Sequence, residues 1–142
     1  MSFKYDLTAN QQTPTSDSKV VLCKSFKIDI AGGSGFTTAT AYNLGWLPKE
    51  AQVVAAQVVT STPVSGGTVS AATIAVTVAG NSVLAGITVF TAGSSGMNTG
   101  GYYSSSGGFQ ATTTDQVITY TPTLTGAGAT TGVVYINLFY VV

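Results

Sequence analysis

Tyr42-Asn-Leu-Gly-Trp-Leu-Pro-Lys-Glu-Ala-Gln-Val-Val-Ala-Ala-Gln-Val-Val-Thr-Ser-Thr-Pro-Val64 carries the chain's single Trp and, after Glu50, a valine-rich run with no charge. Gly45 tolerates positive φ and Pro48 holds φ at about −65°, so Asn43 to Lys49 reads as a tight corner. Trp46 sits in that corner beside Leu44 and Leu47, and Trp46 and Leu47 are candidate anchors for a core or a partner. The run beyond has two readings. Ala51, Val54, Ala55 and Val58 fall on one helical face, and Pro48 suits a first helical position. Against this, Val53, Val54, Val58, Val59 and Thr60 are β-branched, and the run closes on Ser-Thr-Pro rather than a helix cap. The strand is the better reading.

Upstream, Phe36 to Leu44 reads as a Thr- and Ala-rich strand entering the corner. Gly32, Gly33 and Gly35 make a turn; a phosphate loop needs a Gly-Lys-Ser/Thr and a following helix, and neither is there. Lys19 to Ile30 has the cleanest alternation in the chain. Val20, Leu22, Phe26, Ile28 and Ile30 stand against Lys19, Cys23, Ser25, Lys27 and Asp29, with only Val21 and Lys24 out of phase. That pattern predicts an antiparallel strand with one face on a core and one on water. Residues 1–18 form a separate N-terminal segment ahead of a domain spanning 19–142. Thr8 to Ser18 is polar and broken by Pro14. The segment is either a disordered terminus or an extended arm that lies on a neighbouring subunit through Phe3, Tyr5 and Leu7.

Downstream, Ser65-Gly66-Gly67 turns the chain, and Val69 to Ala79 sets Ile74, Val76 and Val78 toward a core with Thr73, Ala75 and Thr77 outward. Gly80-Asn81 is a two-residue hairpin signal, and Ser82 to Ala92 returns. Gly93 to Gly108 reads as a long loop in which Tyr102 and Tyr103 are either a contact patch or incidental residues of a flexible tip. Phe109 to Thr114 is a short strand candidate. Gln116 to Leu124 is a stronger one, with Pro122 suggesting a sheet edge. Val133 to Val142 alternates with both faces apolar, which predicts a central strand covered on both sides, one cover being a candidate subunit contact.

Composition narrows the function classes. Only 7% of the 142 residues are charged, five Lys and no Arg against five acids, for a net charge of zero. An ordinary soluble domain carries about 25% charged residues. A neutral surface with so little charge loses colloidal repulsion and associates, so it suits a protein covered by neighbours in an assembly; the plainer alternative is a monomer solvated by Ser, Thr, Asn and Gln. No basic block exists to neutralise phosphates, so no nucleic-acid partner is expected. The longest apolar segment, Val133 to Val142, contains Asn137 and is about half a membrane span, so no membrane partner is expected either. Met-Ser-Phe-Lys-Tyr-Asp lacks the apolar core of a secretion signal, and synthesis in a cytoplasm follows.

The residues of common active sites are missing. With no His, acid–base work would fall on five carboxylates, five Lys and seven Tyr, and no two carboxylates share a strand face. Asp29 and Asp115 could meet only after folding, as a glycosidase pair would have to. No activated Ser pattern and no Asp-x-Asp calcium pattern occur. Cys23 is alone, which rules out an internal disulfide and a thiolate zinc site and leaves a small hydrophobe. No catalytic residue, cofactor or metal is expected.

About eight short strands separated by Gly/Ser/Thr/Pro turns predict an all-β antiparallel sandwich of the jelly-roll type. Three segments, 42–59, Thr68-Val-Ser-Ala-Ala-Thr-Ile-Ala-Val-Thr-Val-Ala-Gly-Asn81, and the terminal Gly132-Val-Val-Tyr-Ile-Asn-Leu-Phe-Tyr-Val-Val142, resemble the small jelly-roll cement or decoration proteins of tailed bacteriophage capsids. The resemblance spans roughly residues 36–142 and is one of turns and strands rather than of a catalytic signature. It implies a virion protein on the capsid exterior, bound to the major capsid protein as a homodimer or homotrimer at seams between capsomers. A glycan- or receptor-binding module of a phage fibre, stacking sugars on Trp46, Tyr102 and Tyr103, and a subunit that assembles its own shell are the alternatives.

Overall fold

The computed structural model describes residues 20–95 and 114–142, with 93–95 described by backbone alone. Its eight strands are β1 (Leu22–Asp29), β2 (Tyr42–Leu47), β3 (Gln52–Ser65), β4 (Ala71–Val78), β5 (Asn81–Thr88), the three-residue β6 (Gly93–Ser95), β7 (Gln116–Thr125) and β8 (Thr131–Val141). They form two antiparallel sheets: sheet A in the order β1-β8-β3-β6 and sheet B in the order β2-β7-β4-β5. Every connection but the β4–β5 hairpin crosses from one sheet to the other. Two interleaved Greek keys result, which is the jelly-roll sandwich that the strand count predicts.

Alternation builds the core. Ala72, Ile74, Val76 and Val78 of β4 and Val134, Ile136 and Leu138 of β8 are buried between the sheets, with Ile28, Val53, Val58 and Ile118 packed on them. Each fully buried aliphatic side chain contributes about 1.5–3 kcal/mol. β8 is central, between β1 and β3, as its doubly apolar pattern requires.

Several boundaries differ from the sequence expectation. Asn43 to Lys49 is not a corner. It belongs largely to β2, where the ladder with β7 shifts register between Asn43 and Gly45. Gly45 takes φ +155° there, and a Cβ on it would press the Phe26 ring at 3.1 Å. The glycine thus supplies a bulge, and the turn falls later, where the Ala51 amide donates to Pro48 O at 3.2 Å. Phe36 to Ala41 is a loop rather than a strand, pinned by Phe36 in the core. β3 runs through Pro63 to Ser65 because its ladder with β8 is irregular between Thr62 and Ser65. The hairpin turn is Ala79–Gly80, φ 52° and 82°, one residue earlier than expected, since Asn81 already pairs with Val78.

Pro122 does not mark an edge strand, because β7 lies between β2 and β4. β2 reaches along β7 only to Tyr120. Beyond it, Pro122 O accepts from the Ala39 amide at 2.8 Å and the Leu124 amide donates to Thr38 Oγ1 at 3.1 Å. The missing Pro122 N–H therefore faces the β1–β2 loop and costs no ladder bond. Gly93 to Ser95 is not loop but β6, paired with Val58–Thr60. The rest of the expected loop to Gly108, and most of the Phe109–Thr114 strand candidate, lie outside the described residues.

Candidate functional site

β1 and β2 are the outer strands of the two sheets on the same side of the sandwich, and a cluster of aromatic side chains lies on the flank between them. Tyr42 of β2 stacks on Tyr120 of β7, ring centroids 5.2 Å apart. Tyr120 donates its hydroxyl proton to Gly35 O at 2.6 Å, and Tyr42 Oη accepts from the Thr37 amide at 3.0 Å. The two phenols thus hold the β1–β2 loop. Burial pushes the Tyr120 phenol up to about 12, helped by the nearby Tyr42, while hydrogen bonding to Thr37 draws Tyr42 below its usual value. Tyr120 therefore keeps its proton near neutrality and serves as a hydrogen-bond donor. Phe26, Ile28, Leu44 and the two tyrosines line a cavity of about 340 Å³ on this flank.

The outer face of sheet B is of another kind. None of its four strands contains a charged residue. Thr73, Ala75 and Thr77 of β4 lie beside Thr123, Thr121 and Thr119 of β7, and Thr77 and Thr119 share a hydroxyl hydrogen bond of 2.5 Å. Trp46 stands next to this array, in register with Val117, and is 53% exposed. Lys24 of β1 reaches across to donate to Trp46 O. Val20, Val21 and Leu22, where β1 begins, and Val142 are exposed as well.

The outer face of sheet A carries a polar row across three strands. Asn137 Nδ2 donates to Gln57 Oε1 at 3.1 Å, and Ser25 Oγ donates to Asn137 Oδ1 at 2.5 Å. Half-buried Tyr135 and Phe139 flank Asn137 on β8. Cys23, beside Phe139, is exposed, on the side of β1 that its alternation assigns to water.

Of the expected interaction residues, Trp46 is on the surface and Leu47 is not. Leu47 is fully buried in the core, so it is corrected from candidate contact to packing residue. Successive residues of a strand face opposite ways, and the two sit in one strand. Phe3, Tyr5, Leu7, Tyr102 and Tyr103 lie outside the described residues. The Tyr42–Tyr120 flank was not foreseen; Tyr42's place in the alternation was readable, but its partner 78 positions on was not.

The arrangement offers no acid–base pair among the described residues. Asp29 is held at the end of β1 by Lys27, 3.8 Å away, and by the Gly32 amide at 3.1 Å. Asp115 precedes β7 near Leu47, at the level of the opposite end of β1. Gln116 is buried and donates to Pro48 O at 3.2 Å and Ala51 O at 2.8 Å, which ties the β2–β3 turn to β7. Among the described residues, no group of three or more His, Cys, Asp or Glu could hold a metal ion, and no helix is long and apolar enough to cross a membrane.

No protein-family model matches the chain. No curated protein matches it either. Among solved structures it resembles a chain described as "Cyanophage Pam1 capsid asymmetric unit", with a TM-score of 0.61 and 18% identity, over 87% of this chain and 86% of that one. At that identity the likeness is one of fold, and it runs nearly the whole length of both chains.

Proposed function

We propose that this protein is a non-enzymatic structural component of a phage capsid, bound to the outer surface of the assembled shell and stabilising it across seams between capsomers. Its partners in this reading are the major capsid protein and further copies of itself, as a dimer or trimer. The observation that carries the reading is sheet B: four strands without a charge, faced with Thr and Ala, beside an exposed Trp46. A free monomer gains nothing from such a face, whereas an interface core is depleted of charge and enriched in aromatic residues. The likeness in fold to a phage capsid chain supplies the setting.

The mechanism is linkage. A protein that binds only the assembled shell stabilises it by RT ln(1 + [L]/Kd) per site, about 2.7 kcal/mol at a hundredfold excess over Kd. Many sites act together, and an oligomer spanning a seam adds avidity. Adding the purified protein to capsids that lack it is expected to raise their disruption temperature. Unchanged disruption counts against cementing. Particles formed by the protein alone would favour a self-assembling shell subunit, and glycan binding lost on Trp46→Ala would favour a fibre module.

A further inference from the structure

β1 is an outer strand, and its main chain shows which of its groups face outward. The Ile30 amide donates to Gly132 O at 3.0 Å, toward β8. Asp29 points the other way: its amide donates to Ser34 Oγ at 3.0 Å and its carbonyl accepts from the Ser34 amide at 2.9 Å. Residues alternate in direction along an antiparallel strand. Lys27, Ser25 and Cys23 therefore turn their amides and carbonyls to the open side, where no described residue bonds to them. Just inside this edge lies the 340 Å³ cavity lined by Phe26, Ile28, Tyr42, Leu44 and Tyr120. An edge that no described residue pairs, beside a cavity whose lining mixes these side chains with Lys27, Ser34 and Asn43, suits a further strand that turns apolar residues toward Phe26 and Ile28 at alternate positions.

The chain has such a segment upstream of Val20, in Phe3-Lys4-Tyr5-Asp6-Leu7. We propose that residues Lys4 to Thr8 add to the free edge of β1 in the same chain, antiparallel, with Asp6 opposite Lys27 and with Tyr5 and Leu7 turned into the cavity between β1 and β2. The register follows from charge. Asp6 opposite Lys27 sets Lys4 opposite Asp29, so both pairs join opposite signs, and it sets Tyr5 and Leu7 opposite Ile28 and Phe26 on the inward face. A slip of two residues keeps the faces but opposes Lys4 to Lys27 in one direction and Asp6 to Asp29 in the other. Like charges directly opposite destabilise a ladder. A slip of one turns the apolar residues to solvent. A parallel strand with Asp6 beside Lys27 leaves Lys4 beside Ser25 and gives Asp29 no cation from the segment.

The geometry of the connection agrees. Ser34 already occupies the outward groups of Asp29, so main-chain pairing starts at Lys27, and Lys4 meets Asp29 through side chains alone. Ala9 to Val21 reaches up to about 40 Å when extended, against roughly 10 Å from the level of Ser25 back to Leu22. Pro14, Ser16 and Asp17 supply turn residues within that connection.

Hydrogen exchange on the full chain, and on a variant lacking residues 2–8, tests the pairing. The Ser25 and Lys27 amides are expected to exchange at least tenfold more slowly in the full chain; equal rates in the two proteins overturn the proposal. Cys23 gives a second readout, because the same register continued two residues past Thr8 brings residue 10 opposite it, with Cα atoms about 5.5 Å apart, within disulfide range. Mild oxidation of an Asn10→Cys variant is expected to join the introduced thiol to Cys23 within one monomer. A dimer linked through those thiols, or no link at all, overturns pairing within the chain.

Discussion

The Tyr42 ring lies on the Tyr120 ring at an interplanar angle of 25°, and their hydroxyls reach to Thr37 and Gly35 in the same loop. A contact between the two sheet-B strands thereby fixes the segment that joins sheet A to sheet B. Tyr120→Phe keeps the stack and removes one donor, leaving Gly35 O without its 2.6 Å partner. The expected loss is about 1–2 kcal/mol in denaturant unfolding, with the strand content unchanged by circular dichroism.

The same phenol predicts an alkaline limit. Its pKa is raised from 10.0 to about 12 in the folded chain, by burial first and by Tyr42 second. A group whose folded value lies above its unfolded value contributes stability that is fully present below the unfolded value and lost as pH rises through the folded one. Thermal stability is therefore expected to fall between about pH 10 and pH 12, and to fall less in Tyr120→Phe. Tyr42, shifted the other way, adds its contribution below that window, as pH rises toward 10, and does so in both proteins. An identical decline in the two would show that the Tyr120 proton is not the one being lost.

Gly35 is the steric counterpart of that pair. A Cβ at this position would run into the Tyr42 ring, which the stack on Tyr120 keeps from moving aside. Gly35→Ala is expected to cost about 1–3 kcal/mol through overpacking. Combining it with Tyr42→Ala should recover most of what the glycine change alone loses, and a double-mutant cycle measures that coupling.

Most of the strands could be read from one sequence because alternation is local. The β8 pattern, apolar on both faces, predicts its central place, and Thr73, Ala75 and Thr77 against Ile74, Val76 and Val78 predict which side of β4 is outward. What failed depends on partners distant in the chain. Gly45 and Pro48 are both turn residues by local chemistry, yet only the ladder with β7 decides that the first is a bulge. That misreading also removed the alternation that would have sent Trp46 and Leu47 to opposite faces. Pro122 is explained by where β2 stops along β7, a fact no window around residue 122 contains.

Trp46 and Leu47 therefore give opposite mutational signatures. Leu47→Ala leaves a cavity in a fully buried site and is expected to cost about 2–5 kcal/mol in unfolding. Trp46→Ala, at a half-exposed site, is expected to shift stability by no more than about 0.5 kcal/mol. If the sheet-B face seats on the shell, the Trp46 variant loses affinity for capsids by tenfold or more while folding normally. Equal affinity of wild type and variant, measured by co-sedimentation with capsids, would move the contact away from this tryptophan.

Salt separates an uncharged contact from an ionic one. The strands of sheet B contain no charge, so attachment through that face has no exposed ion pairs to screen. At 1 M salt the screening length falls to about 3 Å, from roughly 10 Å at 0.1 M. An interface held by rim charges would weaken steeply over that range, chiefly through slower association. If the proposed attachment through sheet B holds, capsid binding is instead expected to change less than threefold between 0.1 M and 1 M sodium chloride. A loss of tenfold or more would transfer the contact to the Lys24, Lys27 and Asp29 edge of β1, where half of the described charges lie.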